Sequence, residues 1–140
     1  GQIMDLECEN KAGTTVEDLE WIHTHKTAAL LKVAVAAGAI IGGASEADVR
    51  ALEVYAEKIG LAFQIADDIL DVTATSEELG KTAGKDEDTN KTTYVKLLGL
   101  EGAKNEALKV TEEAKAVLAP YGDKAAPLLG IADYIIGRKN

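Results

Sequence analysis

The sequence predicts an all-α protein, and three observations carry that expectation. Alanine, leucine, valine and isoleucine dominate an apolar fraction of 46%, while aromatic residues make up only 4%, a balance that suits packed helices better than a sheet sandwich. Large apolar residues recur at steps of three and four along most of the chain, the spacing of one helix face. No stretch shows a convincing strand period, and no internal repeat is present.

The elements follow in order. The opening "GQIMDLECEN" has no cap or turn and starts at Gly1 rather than Met, so it reads as the middle of an element and the chain as a fragment. Residues 13–43 read as one long helix, capped by Thr14 or Thr15 with Glu17 or Asp18 three positions on, and ended by Gly42 and Gly43. Ile22, Ala29, Val33, Ala36 and Ile40 share one face of it, and Lys26 falls on the same apolar stripe. Residues 45–72 repeat the design. Ser45 and Asp48 form a capping box, and Val49, Leu52, Ala56, Ile59, Phe63, Ala66 and Leu70 face a core.

Residues 73–93 hold one large apolar residue, two glycines and five acids, and read as a long polar loop. Loops of that length inside a compact domain are usually functional or disordered. A short and a longer amphipathic helix come next, stopped by Pro120, and a final helix ends in the basic "GRKN".

The totals narrow the function. One hundred and forty residues can close one core. A net charge of −9 argues against a nucleic-acid partner, which needs basic patches to displace counterions. Phosphate ligands stay open, because a divalent cation can bridge two negative groups. Cys8 is the lone cysteine, so no internal disulfide or cysteine-built zinc site forms, and a reducing compartment is the default. The most apolar run, residues 33–43, is too short to span a bilayer, so no membrane span is expected. No signal peptide is visible.

The stretch "LAFQIADDILDVT", residues 61–73, sets three aspartates and a glutamine in an otherwise greasy helix. With Asp67 at zero, Asp71 falls near roughly 40°, Gln64 near roughly 60° and Asp68 near roughly 100° around the helix. Phe63, Ala66 and Leu70 lie to one side of this stripe, and Ile65, Ile69 and Val72 beyond its other edge. Carboxylates turned into protein need basic partners or cations. Three at i, i+1 and i+4 suit Mg²⁺, which takes one or two carboxylates and fills its shell with water and phosphate oxygens. The plain alternative is an acidic helix end exposed to solvent, which the helix dipole disfavours slightly.

The basic residues have two readings as well. Lys26 on its stripe either snorkels to water or aims its ammonium at a phosphate, with the Thr27 hydroxyl beside it; taken alone, snorkelling is the better reading. Lys81, Lys85 and Lys91 lie in the polar loop, where Gly80 and Gly84 would let backbone N–H groups approach an anion. His23 and His25 are two apart and so point to different faces, which makes shared chelation unnatural and leaves them structural or rim residues. Trp21 and Tyr55 are packing residues. Arg138 and Lys139 either close over an anion or do nothing.

The segments "HKTAALL", "FQIADDILDVT" and "LGKTAGKD", with "GQIMDL" at the start and "IADYIIGRKN" at the end, together resemble the second half of the short-chain trans-prenyl diphosphate synthases, the farnesyl and geranylgeranyl diphosphate synthase family. The wording is most similar to bacterial and plastid-type geranylgeranyl synthases, which implies the bacterial cytoplasm or the plastid stroma.

The resemblance implies an all-α bundle around a deep central cavity, of which residues 1–140 form the C-terminal half, and a prenyltransferase that uses Mg²⁺. Loss of diphosphate from an allylic diphosphate would give a carbocation that the double bond of isopentenyl diphosphate attacks. Geranylgeranyl diphosphate is the expected product and farnesyl diphosphate the next. By motif match, Asp67, Asp68 and Asp71 would hold the metal, Lys26, Lys81 and Lys91 would contact substrate, and Lys26, Thr27 and Gln64 would serve the reaction, the last two lending dipoles to the positive charge. Gln2, Asp5 and Asp86 match flanking positions.

The family's first aspartate-rich motif precedes "GQ", and this chain lacks it. The chain would therefore act only with its N-terminal half, present as a second chain, in an enzyme that is usually a homodimer. A regulatory or binding subunit without chemistry is the competing reading.

Overall fold

The structure, a computed structural model, describes residues 1–8, 13–73 and 92–137, and all regular structure among them is helical. Helix α1 spans Gln2–Cys8, α2 Val16–His25, α3 Thr27–Ile41 and α4 Glu46–Thr73. Helix α5 spans Tyr94–Val117, and a 3₁₀ segment, Ala119–Ala125, leads into α6, Ala126–Gly137.

The caps act as the sequence predicts. The Thr15 hydroxyl accepts the Asp18 N–H at 3.2 Å, and the Asp18 carboxylate accepts the Thr15 N–H at 3.0 Å. Two of the four orphan donors at the start of α2 are thereby satisfied. Ser45 opens α4 in the same way, accepting the Asp48 N–H at 3.2 Å. Thr93 accepts the Lys96 N–H at 3.2 Å to open α5. Gly99, at φ 72° and ψ 166°, divides α5 into the expected short and longer pieces, and Pro120 stands at the start of the 3₁₀ segment that ends it.

One expectation fails. The single helix predicted over 13–43 is two, bent by 43° at Lys26, whose φ of −111° and ψ of −91° leave the helical region. No proline or glycine marks the break in sequence, because its cause is tertiary. The backbone of Gly1 lies against it so closely that a Cβ there would sit 2.5 Å from the His25 carbonyl oxygen and 2.7 Å from the Lys26 nitrogen. The Lys26 ammonium is drawn to Asp5 of α1 at 2.6 Å. The bend also splits the predicted stripe: Ile22 is buried, whereas Val33 and Ile40 are exposed.

Helices α3 and α4 form an antiparallel pair. Ala28 sits directly on Gly60, where any Cβ would come within 2.6 Å of the alanine methyl, and one turn further along Lys32 pairs with Glu57 at 2.6 Å. On the other side of α4, Tyr55, Ile59, Ala62 and Ile65 pack into one core with Ala103, Ala107, Val110 and Ala114 of α5 and Ala132 and Ile135 of α6. The Tyr55 hydroxyl donates to the Leu128 carbonyl at 2.7 Å, fixing α6 across the middle of α4. Glu57 and Lys58 of α4 bridge to neighbouring helices, Glu57 to Lys32 of α3 and Lys58 to Glu113 of α5. No single helix among the described residues is long and apolar enough to cross a membrane.

Candidate functional site

The C-terminal turns of α4 carry the predicted stripe, and its carboxylates are not equivalent. Asp67 is exposed, and Gln64 and Asp71 are half-buried. Asp68 is 7% exposed, and its Oδ2 accepts the backbone N–H of Tyr94 at 2.8 Å. Consecutive helical residues point about 100° apart, so Asp68 turns towards α5 while Asp67 and Asp71, at i and i+4, share the outer edge. Three carboxylates do not converge: no group of three His, Cys, Asp or Glu side chains among the described residues is placed to hold a metal.

Lys26 lies at the break between α2 and α3. Asp5, which the sequence marked only as a flanking position, takes one of the three ammonium donors at 2.6 Å. The lysine side chain keeps 34% of its surface exposed, which explains how a charge is tolerated on an apolar stripe. Thr27, the first residue of α3, is half-buried. Since Ala28 sits on Gly60 and the helices are antiparallel, the Lys26–Thr27 break lies within about one helical turn of Gln64.

His23 and His25 diverge as expected. His23 is buried with its ring stacked on Tyr94 at 5.9 Å. His25 is exposed, stacks on Trp21 at 4.1 Å and donates from Nδ1 to the Trp21 carbonyl at 2.8 Å. Burial pushes the Tyr94 hydroxyl well above the usual phenol range, helped by the negative charges of Glu20, Glu106 and Asp68. Lys81, Lys85, Asp86, Lys91, Arg138 and Lys139 lie outside the described residues.

A cleft of about 300 Å³ between α4, α5 and α6 is lined by Ala66, Ile69, Leu70, Lys104, Ala107, Leu108 and Ile136. A polar one of about 410 Å³ is bordered by Glu20, Glu57, Lys58, Lys109 and Glu113, among others. Neither includes Lys26, Thr27, Gln64 or the aspartates. Ile3 and Leu6 of α1 and Leu30 and Val33 of α3 are exposed apolar residues.

Two groups that build this region were missed in the sequence. Gly1 and Gly60 matter through close approach of backbone, which no spacing rule signals. The Asp68–Tyr94 bond joins residues 26 apart, with only Thr93 marking a helix start beside it.

The outer edge suits a hard cation. Asp67 and Asp71 supply two carboxylates on one face, the number Mg²⁺ takes from protein when water and phosphate complete its shell.

A family model described as polyprenyl synthetase matches residues 1–120. A geranylgeranyl pyrophosphate synthase, chloroplastic, from Capsicum annuum is 55% identical over 141 residues, covering 100% of this chain and 38% of its own length. Among solved structures, an FPP/GFPP synthase from Zymomonas mobilis matches with a TM-score of 0.76 at 36% identity, over 96% of this chain and 43% of that one. A geranyltransferase from Helicobacter pylori, complexed with magnesium and isoprenyl diphosphate, matches with a TM-score of 0.72 at 34% identity, over 96% and 43%. The chain thus spans less than half the length of each of these proteins. The match over six-sevenths of the sequence, on an all-helical fold shared with these structures, places the chain in the polyprenyl synthetase family.

Proposed function

We propose that this chain is the C-terminal half of a Mg²⁺-dependent prenyltransferase, which condenses an allylic diphosphate with isopentenyl diphosphate to give geranylgeranyl diphosphate, with farnesyl diphosphate the next candidate. The observation that carries the reading is the start of α3 against α4, where Lys26 and Thr27 at a helix break lie within about one helical turn of Gln64, with Asp67 roughly one turn and Asp71 roughly two turns further along α4. Large apolar residues of α1 and α3, Ile3, Leu6, Leu30 and Val33, are exposed. Similarity to the geranylgeranyl pyrophosphate synthase of Capsicum annuum and to the Helicobacter pylori geranyltransferase complexed with magnesium supports both the product class and the metal.

In this reading Asp67 and Asp71 of the aspartate motif present carboxylates to Mg²⁺, while Asp68 of the same motif faces α5. When bound, the metal neutralises the diphosphate and eases its departure with the C–O bonding pair. Lys26, with Lys81 and Lys91 by motif, binds diphosphate oxygens. The Thr27 hydroxyl and the Gln64 amide turn oxygen dipoles towards the allylic carbon as positive charge develops. The isopentenyl double bond supplies the electrons of the new C–C bond, and proton loss restores neutrality. Apolar side chains of α3 help keep water from the cation once the missing half covers them. That N-terminal half is the proposed partner, in a whole enzyme that is a homodimer, located in the plastid stroma or a bacterial cytoplasm.

The test is a chimera in which residues 1–140 replace the matched stretch of the Capsicum annuum relative. Mg²⁺-dependent formation of prenyl diphosphate is expected, and Asp67→Asn should lower kcat/KM by at least about 100-fold. A chimera that folds and binds substrate without turnover supports a non-catalytic subunit instead.

A further inference from the structure

We infer that Asp68 is a positioning residue: its carboxylate ties the N-terminus of α5 to the last turns of α4, and so sets the rotation at which Asp67 and Asp71 face outward. The refinement rests on the metal role proposed for those two residues, while the tie itself is independent of it.

The argument starts from the needs of a helix end. The first N–H groups of α5 have no partner within the helix. Thr93 satisfies that of Lys96, and a capping hydroxyl cannot also reach the first position. Asp68, from the neighbouring helix, takes the Tyr94 N–H at 2.8 Å. A carboxylate there also faces the positive end of the α5 dipole, and a charged acceptor makes a stronger bond than a neutral one. The contact is built into the core. Asp68 is 7% exposed, and Tyr94, 1% exposed, is held by the ring of His23 from α2.

The geometry divides the labour. A carboxylate committed inward fixes the helix about its axis, and its neighbour one residue back is carried about 100° away, onto the edge that holds Asp71. Replacing the tie would let these turns of α4 rotate or fray, since Asp67 and Asp71 both lie on the final turns before Thr73.

The test uses the 140-residue chain, backbone amide exchange by NMR, and Mn²⁺ as a paramagnetic stand-in for Mg²⁺ that broadens amides near its site. Asp68→Ala should speed exchange at the Tyr94 amide at least about tenfold and raise the Mn²⁺ concentration for half-broadening of residues 67–71 about tenfold. Asp68→Asn keeps an acceptor oxygen but loses the charge, and should fall between native and Asp68→Ala in both. Asp67→Asn should weaken Mn²⁺ at least about tenfold and leave Tyr94 exchange unchanged.

Loss of Mn²⁺ in Asp68→Asn as large as in Asp67→Asn would make Asp68 a ligand and overturn the inference. Unchanged Tyr94 exchange in Asp68→Ala would overturn it too. If Asp67→Asn leaves Mn²⁺ untouched, the metal role falls, and Tyr94 exchange alone decides the tie.

Discussion

Helices α3 and α4 lie side by side, yet their composition and their burial run in opposite directions. Helix α3 is apolar almost throughout, with Lys32 its only charge, but of its fifteen residues only Ala28 is buried, and Leu30, Val33, Ile40 and Ile41 are exposed. Helix α4 carries acids and bases along its length and buries nine residues, Asp68 among them. The difference comes from the number of neighbours. Helix α4 is flanked by α3 on one side and by α5 and α6 on the other, whereas α3 sets Ala28 on Gly60 of α4 and leaves Leu30, Val33, Ile40 and Ile41 exposed. Composition therefore records the cover a helix has in its whole assembly, and burial records only the cover present. More than half the length of the Capsicum annuum relative has no counterpart in this chain, and we propose that the missing part packs on α3.

The largest effect expected from this contrast is a core truncation. Ile65→Ala, at a fully buried site of α4, should cost about 2–5 kcal/mol in urea unfolding. Val33→Ala in α3 should stay within about 0.5 kcal/mol in this chain alone. Similar losses for the two would break the comparison.

Glycines sharpen it further. Gly60→Ala pushes a methyl to 2.6 Å from the Ala28 Cβ and should cost about 1–3 kcal/mol through forced separation of the helices. Gly38 in α3 meets nothing within 4 Å, so Gly38→Ala should be neutral or stabilising by up to about 1 kcal/mol. Thermal unfolding of both variants decides, and destabilisation by Gly38→Ala would mean that α3 is covered in this chain.

Removing a single polar atom tests the other flank of α4. Tyr55→Phe leaves the Leu128 carbonyl without its donor and should cost about 1 kcal/mol, read as a lower urea midpoint at unchanged slope. No loss would show that this bond does not help to fix α6 on α4.

The smallest effect is the pH dependence of the carboxylate contacts that edge α4. Lys58 holds the Glu113 carboxyl below its usual range, and hydrogen bonds from the Ser45 hydroxyl and then the Tyr121 hydroxyl do the same for Asp48. A depressed folded value means stability that is present above the unfolded pKa, about 4 for such carboxyls, and is lost as pH falls through the folded value. Unfolding temperature should drop below about pH 4, and Glu113→Gln with Asp48→Asn should flatten part of that drop. An unaltered slope would remove these contacts from the account.

How much of this was legible in the sequence depends on whether the cause was local. The caps at Thr15 and Ser45 and the stop at Pro120 follow from the residues on the spot, and each stands where it was expected; the division into a short and a longer helix, expected without a position, falls at Gly99. The break at Lys26 was not legible, since α1 imposes it from outside through Gly1 and Asp5. The aspartate stripe was legible as a pattern of angles, and the angles also contain the divergence of Asp68 from Asp67. What they lack is the identity of the partner, because Tyr94 reaches Asp68 only after the chain has passed through residues 74–91. An acidic run is therefore easier to find than to apportion among its members.

The central claim is that the uncovered edge of α3 and α4 is one wall of a shared site. The most direct measurement is a native mass spectrum of residues 1–140 co-expressed with the unmatched remainder of the Capsicum annuum relative, with Mg²⁺ and geranyl diphosphate present. The account predicts a one-to-one complex that retains metal and ligand and that Val33→Asp dissolves. A chain that stays alone and ligand-free, or a complex indifferent to Val33→Asp, would contradict it.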